Sequence, residues 1–154
     1  MEQTAESLKQ FIIGSYSDYL DKAKTEDTPM PHLTDKTVIL GVIDPLKINS
    51  AVCCSILPET ETEDTDYIGG YATSTVFTVT FLCKNNNYDV LIRQMCRYAE
   101  AFREAVHNDY SLNCTVNNTD IGERRFYPDC GTNDKQMTAC EIELTIYTTN
   151  DEAD

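Results

Sequence analysis

The feature that most restricts the fold is a long alternating segment, "YATSTVFTVTFLC" at residues 71–83, which passes directly into a segment of helical periodicity. Alternation places Phe77, Val79 and Phe81 on one face of a predicted strand. The Thr/Ser-rich first half, next to an acidic run, is predicted to extend beyond the core. Because a small monomer has no evident use for such an extension, the length of this strand favours a protein that contacts neighbours in an assembly.

Two helices are predicted on either side of this strand. The first begins after Thr4, a plausible N-cap, and ends before Pro29. The second begins near Asn87, another good N-cap, and ends near His107. Both have an apolar face at helical spacing, formed by Leu8, Phe11, Ile12, Tyr16, Tyr19, Leu20 and Ala23 in the first and by Leu91, Met95, Tyr98, Phe102 and Val106 in the second.

Four further strands are predicted. "TVILGVIDP" is a short strand, and "SAVCCSILP" is a second that ends at Pro58 and pairs with residues 71–83 through a long charged loop. "SLNCTVNNT" is a third, with Leu112, Cys114 and Val116 on one face. "MTACEIELTIYTT" is the last, with an apolar face of Cys140, Ile142, Leu144 and Ile146 and a solvated face of Glu141, Glu143, Thr145 and Tyr147. The segment "DIGERRFYPDCGTND" is predicted to be a long loop that binds something or is disordered.

These elements predict an α+β fold with a mainly antiparallel sheet packed against two helices in the order α-β-β-β-α-β-β. The length fits one domain with one core, which we assign to residues 1–150, followed by an acidic tail at 151–154. There is no signal-peptide pattern and no apolar run long enough to cross a bilayer, so we expect a soluble protein made in a cytoplasm.

The net charge of −14 is unevenly distributed: residues 59–66, "ETETEDTD", carry −5 and residues 151–154 carry −3. An acidic protein repels phosphate and gains nothing from counterion release, which argues against nucleic-acid binding. Such a protein is nevertheless suited to surround nucleic acid that must slide without sticking.

No enzyme or metal chemistry is predicted. The seven cysteines have no C-x-x-C spacing; we expect six to be buried and reduced, with Cys130 in a polar loop as the exposed one. A zinc site would need four ligands from unrelated segments with only His32 and His107 to help. No phosphate-binding loop, nucleophile elbow or H-E-x-x-H motif is present, so we expect no catalytic residue and no cofactor.

The only basic doublet in the predicted loop, Arg124-Arg125, is followed by Phe126-Tyr127. Arginine binds carboxylates readily, so the doublet either docks onto an acidic neighbour or pairs locally with Asp120 or Glu123. The adjacent aromatic residues favour the docking interface, because arginine and aromatic residues are enriched at interfaces.

The whole layout resembles the tail terminator family of long-tailed bacteriophages, also described as tail completion or minor tail proteins. The resemblance spans residues 4–149 and rests on the N-terminal helix "SLKQFIIGSYSDYL", the strand-to-helix passage "TSTVFTVTFLC" to "NNNYDVLIRQMCRYAEAFREAV", and the final strand "CEIELTIYTTN". It implies a hexameric ring in the virion neck that caps the tail tube, stops its polymerisation and meets the head connector. The ring would surround a channel through which DNA passes without specific binding, and no catalytic residues are implied.

We expect the acidic run or the Glu141/Glu143 face to line such a channel. The candidates in the run are the five acidic residues Glu59, Glu61, Glu63, Asp64 and Asp66. The alternatives are another neck ring such as a head-closure protein, a non-viral adaptor domain that uses its acidic segment to bind a basic partner, and, least favoured, a small enzyme.

Overall fold

The computed structural model describes residues 1–44, 49–64, 70–131 and 136–151. Its helices are α1 (Glu2–Ile13), α2 (Ser15–Ala23) and α3 (Tyr88–Asn108), and its strands are β1 (Val38–Leu40), β2 (Val52–Asp64), β3 (Gly70–Lys84), β4 (Asn118–Tyr127) and β5 (Met137–Asp151). The predicted α+β class and the order of elements are confirmed, with the first predicted helix divided in two.

The five strands form one sheet in the order β1-β2-β3-β5-β4. β1 pairs with β2 in parallel, and the other three pairings are antiparallel. The long strand β3 is central: it pairs with β2 along one side and with β5 along its whole length on the other, from Gly70 opposite Asp151 to Lys84 opposite Met137. The first half of β3 therefore does not leave the sheet, because β2 and β5 extend with it.

The helices cover one face of the sheet, and four aromatic rings fill the space between the layers. Tyr16, Phe81, Tyr98 and Phe102 are fully buried, with ring centroids 5.5–5.8 Å apart in the contacting pairs. The Tyr16 hydroxyl donates to the Tyr98 carbonyl at 2.6 Å, and the Tyr98 hydroxyl donates to the Pro31 carbonyl at 2.6 Å. These hydrogen bonds satisfy both buried hydroxyls and fix the irregular segment after α2 to α3.

The start of α3 agrees with the sequence pattern. The Asn87 side chain accepts a hydrogen bond from the Asp89 amide at 2.9 Å and so caps the helix. The N-terminal helix begins at Glu2 instead of after Thr4 and is interrupted at Gly14, which has φ −92° and ψ −92°. A Cβ at Gly14 would lie 3.2 Å from the Gln10 carbonyl oxygen, so the interruption of the helix brings the Gly14 backbone close to the Gln10 carbonyl.

The prediction that the second strand ends at Pro58 is wrong. β2 continues through Pro58 to Asp64, so residues 59–64 of the acidic run are strand and not loop. A register shift between Pro58 and Thr60 leaves Glu59 as a bulge. Proline is tolerated here because β1 stops opposite Ile56, which leaves this part of β2 at the edge of the described sheet.

The predicted strand at residues 111–119 is also wrong. Leu112, Cys114 and Val116 do not share a strand face: residues 110–117 are turns and bends, and Leu112, Asn113 and Cys114 have positive φ values of 48°, 61° and 64°. Leu112 is nevertheless buried, which explains the misleading apolar pattern. The strand lies later, at Asn118–Tyr127, and all but its first two residues fall in the segment predicted to be a loop.

Two smaller expectations need correction. Four cysteines are buried, Cys53, Cys54, Cys83 and Cys140, whereas Cys96, Cys114 and Cys130 are exposed, so the expected count of six buried thiols is wrong. Cys96 occupies an outward position of α3, and Cys114 lies in the turn before β4. Of the predicted acidic tail, Asp151 pairs with Gly70 as part of β5, and residues 152–154 lie outside the described residues.

Candidate functional site

The face of the sheet opposite the helices, called here the open face, is the most distinctive surface of the described part of the chain. The strand register determines its composition, because residues opposite one another in neighbouring strands share a face. Thr78 lies opposite Glu143 and Thr80 opposite Glu141, while Arg125 lies opposite Glu141 from the other side. The buried counterparts on the helix side are Val79, Phe81, Cys140 and Ile142. One face of β5 is therefore core, and the other presents the two predicted carboxylates.

A shallow groove of about 430 Å³ crosses the open face, and the described residues that line it include four carboxylates and one cation. Glu59 enters it from the bulge in β2, Glu141 and Glu143 from β5, and Glu123 from β4. The Thr78 hydroxyl donates to Glu59 at 3.1 Å, and the Tyr127 hydroxyl donates to Glu141 at 3.2 Å. The structure thus brings members of the two predicted acidic sets, the 59–66 run and the Glu141/Glu143 face, onto one surface.

Arg125, the one cation among the described residues of the groove, donates two hydrogen bonds to Glu123, at 3.1 Å from Nε and 3.3 Å from the terminal nitrogen. The hydrogen bond from Arg125 lowers the pKa of Glu123, and the Glu123 carboxylate raises the pKa of Arg125 in turn. Next to this pair, the Glu143 side chain lies over Gly122, where a Cβ would approach its Oε1 to 2.8 Å. With Arg125 neutralised by Glu123, the remaining three carboxylates leave the groove strongly negative.

One end of the open face is apolar. Cys53, Leu82, Met137 and Ala139 form a small second core there, and Ile43 packs against it from the segment after β1. A groove of about 380 Å³ adjoins this cluster, with Val42, Leu57 and Tyr127 among its lining residues. The open face therefore changes from apolar to acidic along the strands.

The four predicted interface residues lie together on the edge strand β4 and not in a loop. Arg125 and Tyr127 are on the open face, whereas Arg124 and Phe126 are on the helix side, opposite Ile142 and Cys140. Arg124 approaches Glu100 of α3 at 3.5 Å, and the Phe126 and Tyr127 side chains are 44% and 39% exposed. Local pairing, one of the two alternatives for the arginines, is present for Arg125 with Glu123.

The predicted acidic residues do not all share one face. Glu61 and Glu63 lie opposite Thr75 and Thr73, which places them on the helix side, and Glu61 lines a polar groove with the start of α1. Asp64 lies opposite Ala72 and so belongs to the open face. Asp66 lies outside the described residues. The acidic run thus supplies charge to both faces of this sheet edge.

Glu123 is a member of the acidic groove that the sequence pattern did not indicate. It was grouped with a loop because Gly122 and a downstream Pro-Asp pair are typical turn signals. Gly122 is instead part of a second bulge, at the register shift between Ile121 and Arg124. Thr119 and Ile121, at alternate positions directly before the glycine, were the available strand signal.

Outside this surface, the described residues offer little chemistry. They contain no cluster of three or more His, Cys, Asp or Glu side chains arranged to hold a metal ion. His32 contacts Asp21 at 2.6 Å on the exposed surface and lowers the pKa of that carboxyl through the hydrogen bond, and His107 lies in the last turn of α3. Within the described part of the chain, no helix has the length and apolar character to cross a membrane.

Comparison with models of known protein families and with curated proteins gives no match to either.

Proposed function

We propose that this chain is a tail terminator of a long-tailed bacteriophage. In this proposal it is a non-catalytic structural protein of the virion neck, assembled in the host cytoplasm. Six copies form a ring on the end of the tail tube, stop its polymerisation and join it to the head connector. The proposal rests on the resemblance in element order and on the surface described above.

The observation that carries the proposal is the combination of an acidic open face with a helical layer confined to the other face. Placed towards the centre of a ring, the open face would present Glu59, Glu141 and Glu143 to the channel. Like charges repel the DNA phosphates, so DNA passes without adhering to the wall. The helices would then form the outside of the ring.

The arrangement of edges also supports an assembly. β4 ends the described sheet on one side, and β2 beyond Ile56 ends it on the other. A long edge strand with exposed aromatic residues promotes aggregation of an isolated protein, but it provides a pairing surface for a protein that assembles with copies of itself. Phe126 and Tyr127 are such residues.

The decisive experiment is to silence the gene in its phage and measure the tails by electron microscopy. Overlong or headless tails are expected, because nothing would stop the tube or connect it. Tails of normal length joined to heads would refute the proposal. Tails of normal length that fail to join heads would favour the alternative of a head-closure ring.

A second experiment tests the orientation of the open face. Glu141→Lys adds positive charge to the proposed channel and is expected to slow DNA ejection while tail length stays normal. Glu104→Lys, the same charge change on the exposed surface of α3, is the matched control. Equal ejection rates in the two variants would contradict a channel-facing open face.

A further inference from the structure

We propose that neighbouring copies of this chain join head to tail through antiparallel pairing of β4 in one copy with the outer edge of β2 beyond β1, residues 57–64, in the next. The inference deepens the proposed function, because it assigns the subunit interface of the ring. It also applies to any ring or filament that this chain forms.

Strand direction allows this pairing. β2, β3, β5 and β4 alternate in direction, so the two outer strands of this group run in opposite directions. A second copy that continues the sheet beyond β4 therefore presents its β2 antiparallel to β4. The hydrogen-bonding groups on that side of β4 have no strand partner in the described chain.

Charge favours head-to-tail pairing over pairing of identical edges. Residues 57–64 of β2 include four acidic residues, Glu59, Glu61, Glu63 and Asp64, and no Lys or Arg, so two such edges would repel each other. β4 supplies Arg124 and Arg125, whose present partners Glu100 and Glu123 are all on the exposed surface. Exposed ion pairs contribute little to the free energy of folding. The arginines can therefore exchange these partners for carboxylates of a neighbouring copy with little loss of stability.

One register brings the apolar and the charged residues of the two edges together, with Pro58, which has no N–H to donate, directly before the Glu59 bulge. β1 covers β2 as far as Ile56, and no other described strand pairs with this side of β2 from Leu57 onwards. If Tyr127, the last residue of β4, lies opposite Leu57 of the next copy, then Phe126 lies opposite Pro58 and Arg124 opposite Glu61. The two apolar pairs come together next to the oppositely charged pair, and each pair shares a face of the sheet. Arg125 lies opposite Thr60, beside the Glu59 bulge.

This register also has the stagger that a closed ring of strands needs. A row here is the set of residues that lie opposite one another across the strands of one copy. Arg124 lies in the row of Val79, whereas Glu61 lies in the row of Thr75, four residues away on β3. Each copy is thus displaced by four rows, about 13 Å, across four strands that span about 19 Å. The ratio corresponds to a strand tilt of about 35°, which is the tilt found in closed β-barrels.

Disulfide trapping tests the register directly. In a chain with the exposed Cys96, Cys114 and Cys130 changed to serine, the double variant Thr60→Cys/Arg125→Cys places thiols opposite each other only between copies. Inside one copy these positions are separated by three strand spacings, about 14 Å, which is too far for a disulfide. Mild oxidation is expected to give a ladder of cross-linked oligomers that reductant removes, both in the purified chain and in particles complemented with the variant.

The controls separate this interface from others. Arg125→Cys alone is expected to give no cross-link, and a dimer from it would indicate pairing of β4 with β4 and overturn the proposal. The pair Glu61→Cys/Arg125→Cys, on opposite faces, is expected to react much more slowly. Absence of a ladder in both the purified chain and the particles would also overturn it.

Charge exchange gives an independent readout. Arg124→Glu and Glu61→Arg are each expected to weaken association about tenfold, a factor that corresponds to about 1.4 kcal/mol, and the double variant is expected to restore it. Failure of the double variant to recover would contradict the Arg124–Glu61 pairing. Because this assay measures association and gene silencing measures tails, normal tails beside a strong ladder would refute the tail function alone, and overlong tails without a ladder would refute this interface alone.

Discussion

Alkaline solution near pH 10 is expected to destabilise this protein strongly, because four of its thiols are buried. Burial raises the pKa of Cys54 and Cys83 well above the ordinary value of 9.0, that of Cys53 to about 11 and that of Cys140 to about 12. In the unfolded chain the same thiols ionise at their ordinary pKa. Above that pH the unfolded state binds fewer protons than the folded state, so stability falls as the pH rises.

The size of the effect follows from the number of thiols. One pH unit above the pKa of the unfolded chain, each thiol that stays protonated in the folded state lowers the free energy of unfolding by about 1.4 kcal/mol. Four thiols together remove about 5–6 kcal/mol near pH 10, when the whole stability of a domain is about 5–15 kcal/mol. Tyr16, whose pKa burial also raises, adds to the loss at still higher pH.

Urea unfolding followed by circular dichroism, with a reductant present and at several pH values between about 7.5 and 10, gives the slope of the free energy of unfolding against pH. Cys140→Ala is expected to reduce the slope above pH 9 by about 1.4 kcal/mol per pH unit, whatever it does to stability at neutral pH. Cys114→Ala, in the exposed turn before β4, is the matched control and is expected to leave the slope unchanged. Equal free energies of unfolding at pH 8 and pH 10 would refute the reasoning.

Three further predictions concern single contacts. Asn87→Ala removes the cap of α3 and is expected to lower the free energy of unfolding in urea by about 1 kcal/mol. Asn86→Ala, one residue before the N-cap, is the control and is expected to change it little, so equal losses would contradict the capping role. Tyr16→Phe deletes the buried hydrogen bond to α3 and is expected to lower the free energy of unfolding by about 1 kcal/mol, and an unchanged urea midpoint would show that the bond contributes nothing. His32→Ala is expected to raise the pKa of Asp21 towards its ordinary value in a carboxyl NMR titration, and an unmoved titration would rule out this hydrogen bond in solution.

The parts of the fold that the sequence predicted well are those with local signals. Asn87 caps α3 through its own side chain, and the apolar residues of α3 and β5 repeat with the period of their element. Such patterns need no knowledge of distant residues. The α+β class followed from them directly.

The errors come from residues whose environment is set by distant parts of the chain. Leu112 is buried in a turn with positive φ, a conformation that a leucine seldom adopts and that no local pattern indicates. The acidic residues after Pro58 form a strand because β3 supplies hydrogen-bonding partners, although their composition is typical of a loop. For the candidate site, β5 was predicted correctly. The place of Glu123 beside Glu143 depends on the bulge in β4, and the place of Glu59 depends on the bulge in β2, and no local pattern specifies either bulge.

The position of β5 has a consequence for how the chain folds. β3 and β4 are neighbours in sequence, joined through α3, but they never touch in the sheet, because β5 lies between them. Until β5 is inserted between them, the backbone groups along one side of β3 and along the inner side of β4 have no strand partners. The aromatic cluster also lacks the packing that β5 provides. Contacts such as Gly70 with Asp151 close loops of very large sequence separation, so insertion of this strand is expected to be slow. Molecules in which β5 has not yet been inserted expose two open strand edges, and they are expected to be the species that aggregates during refolding.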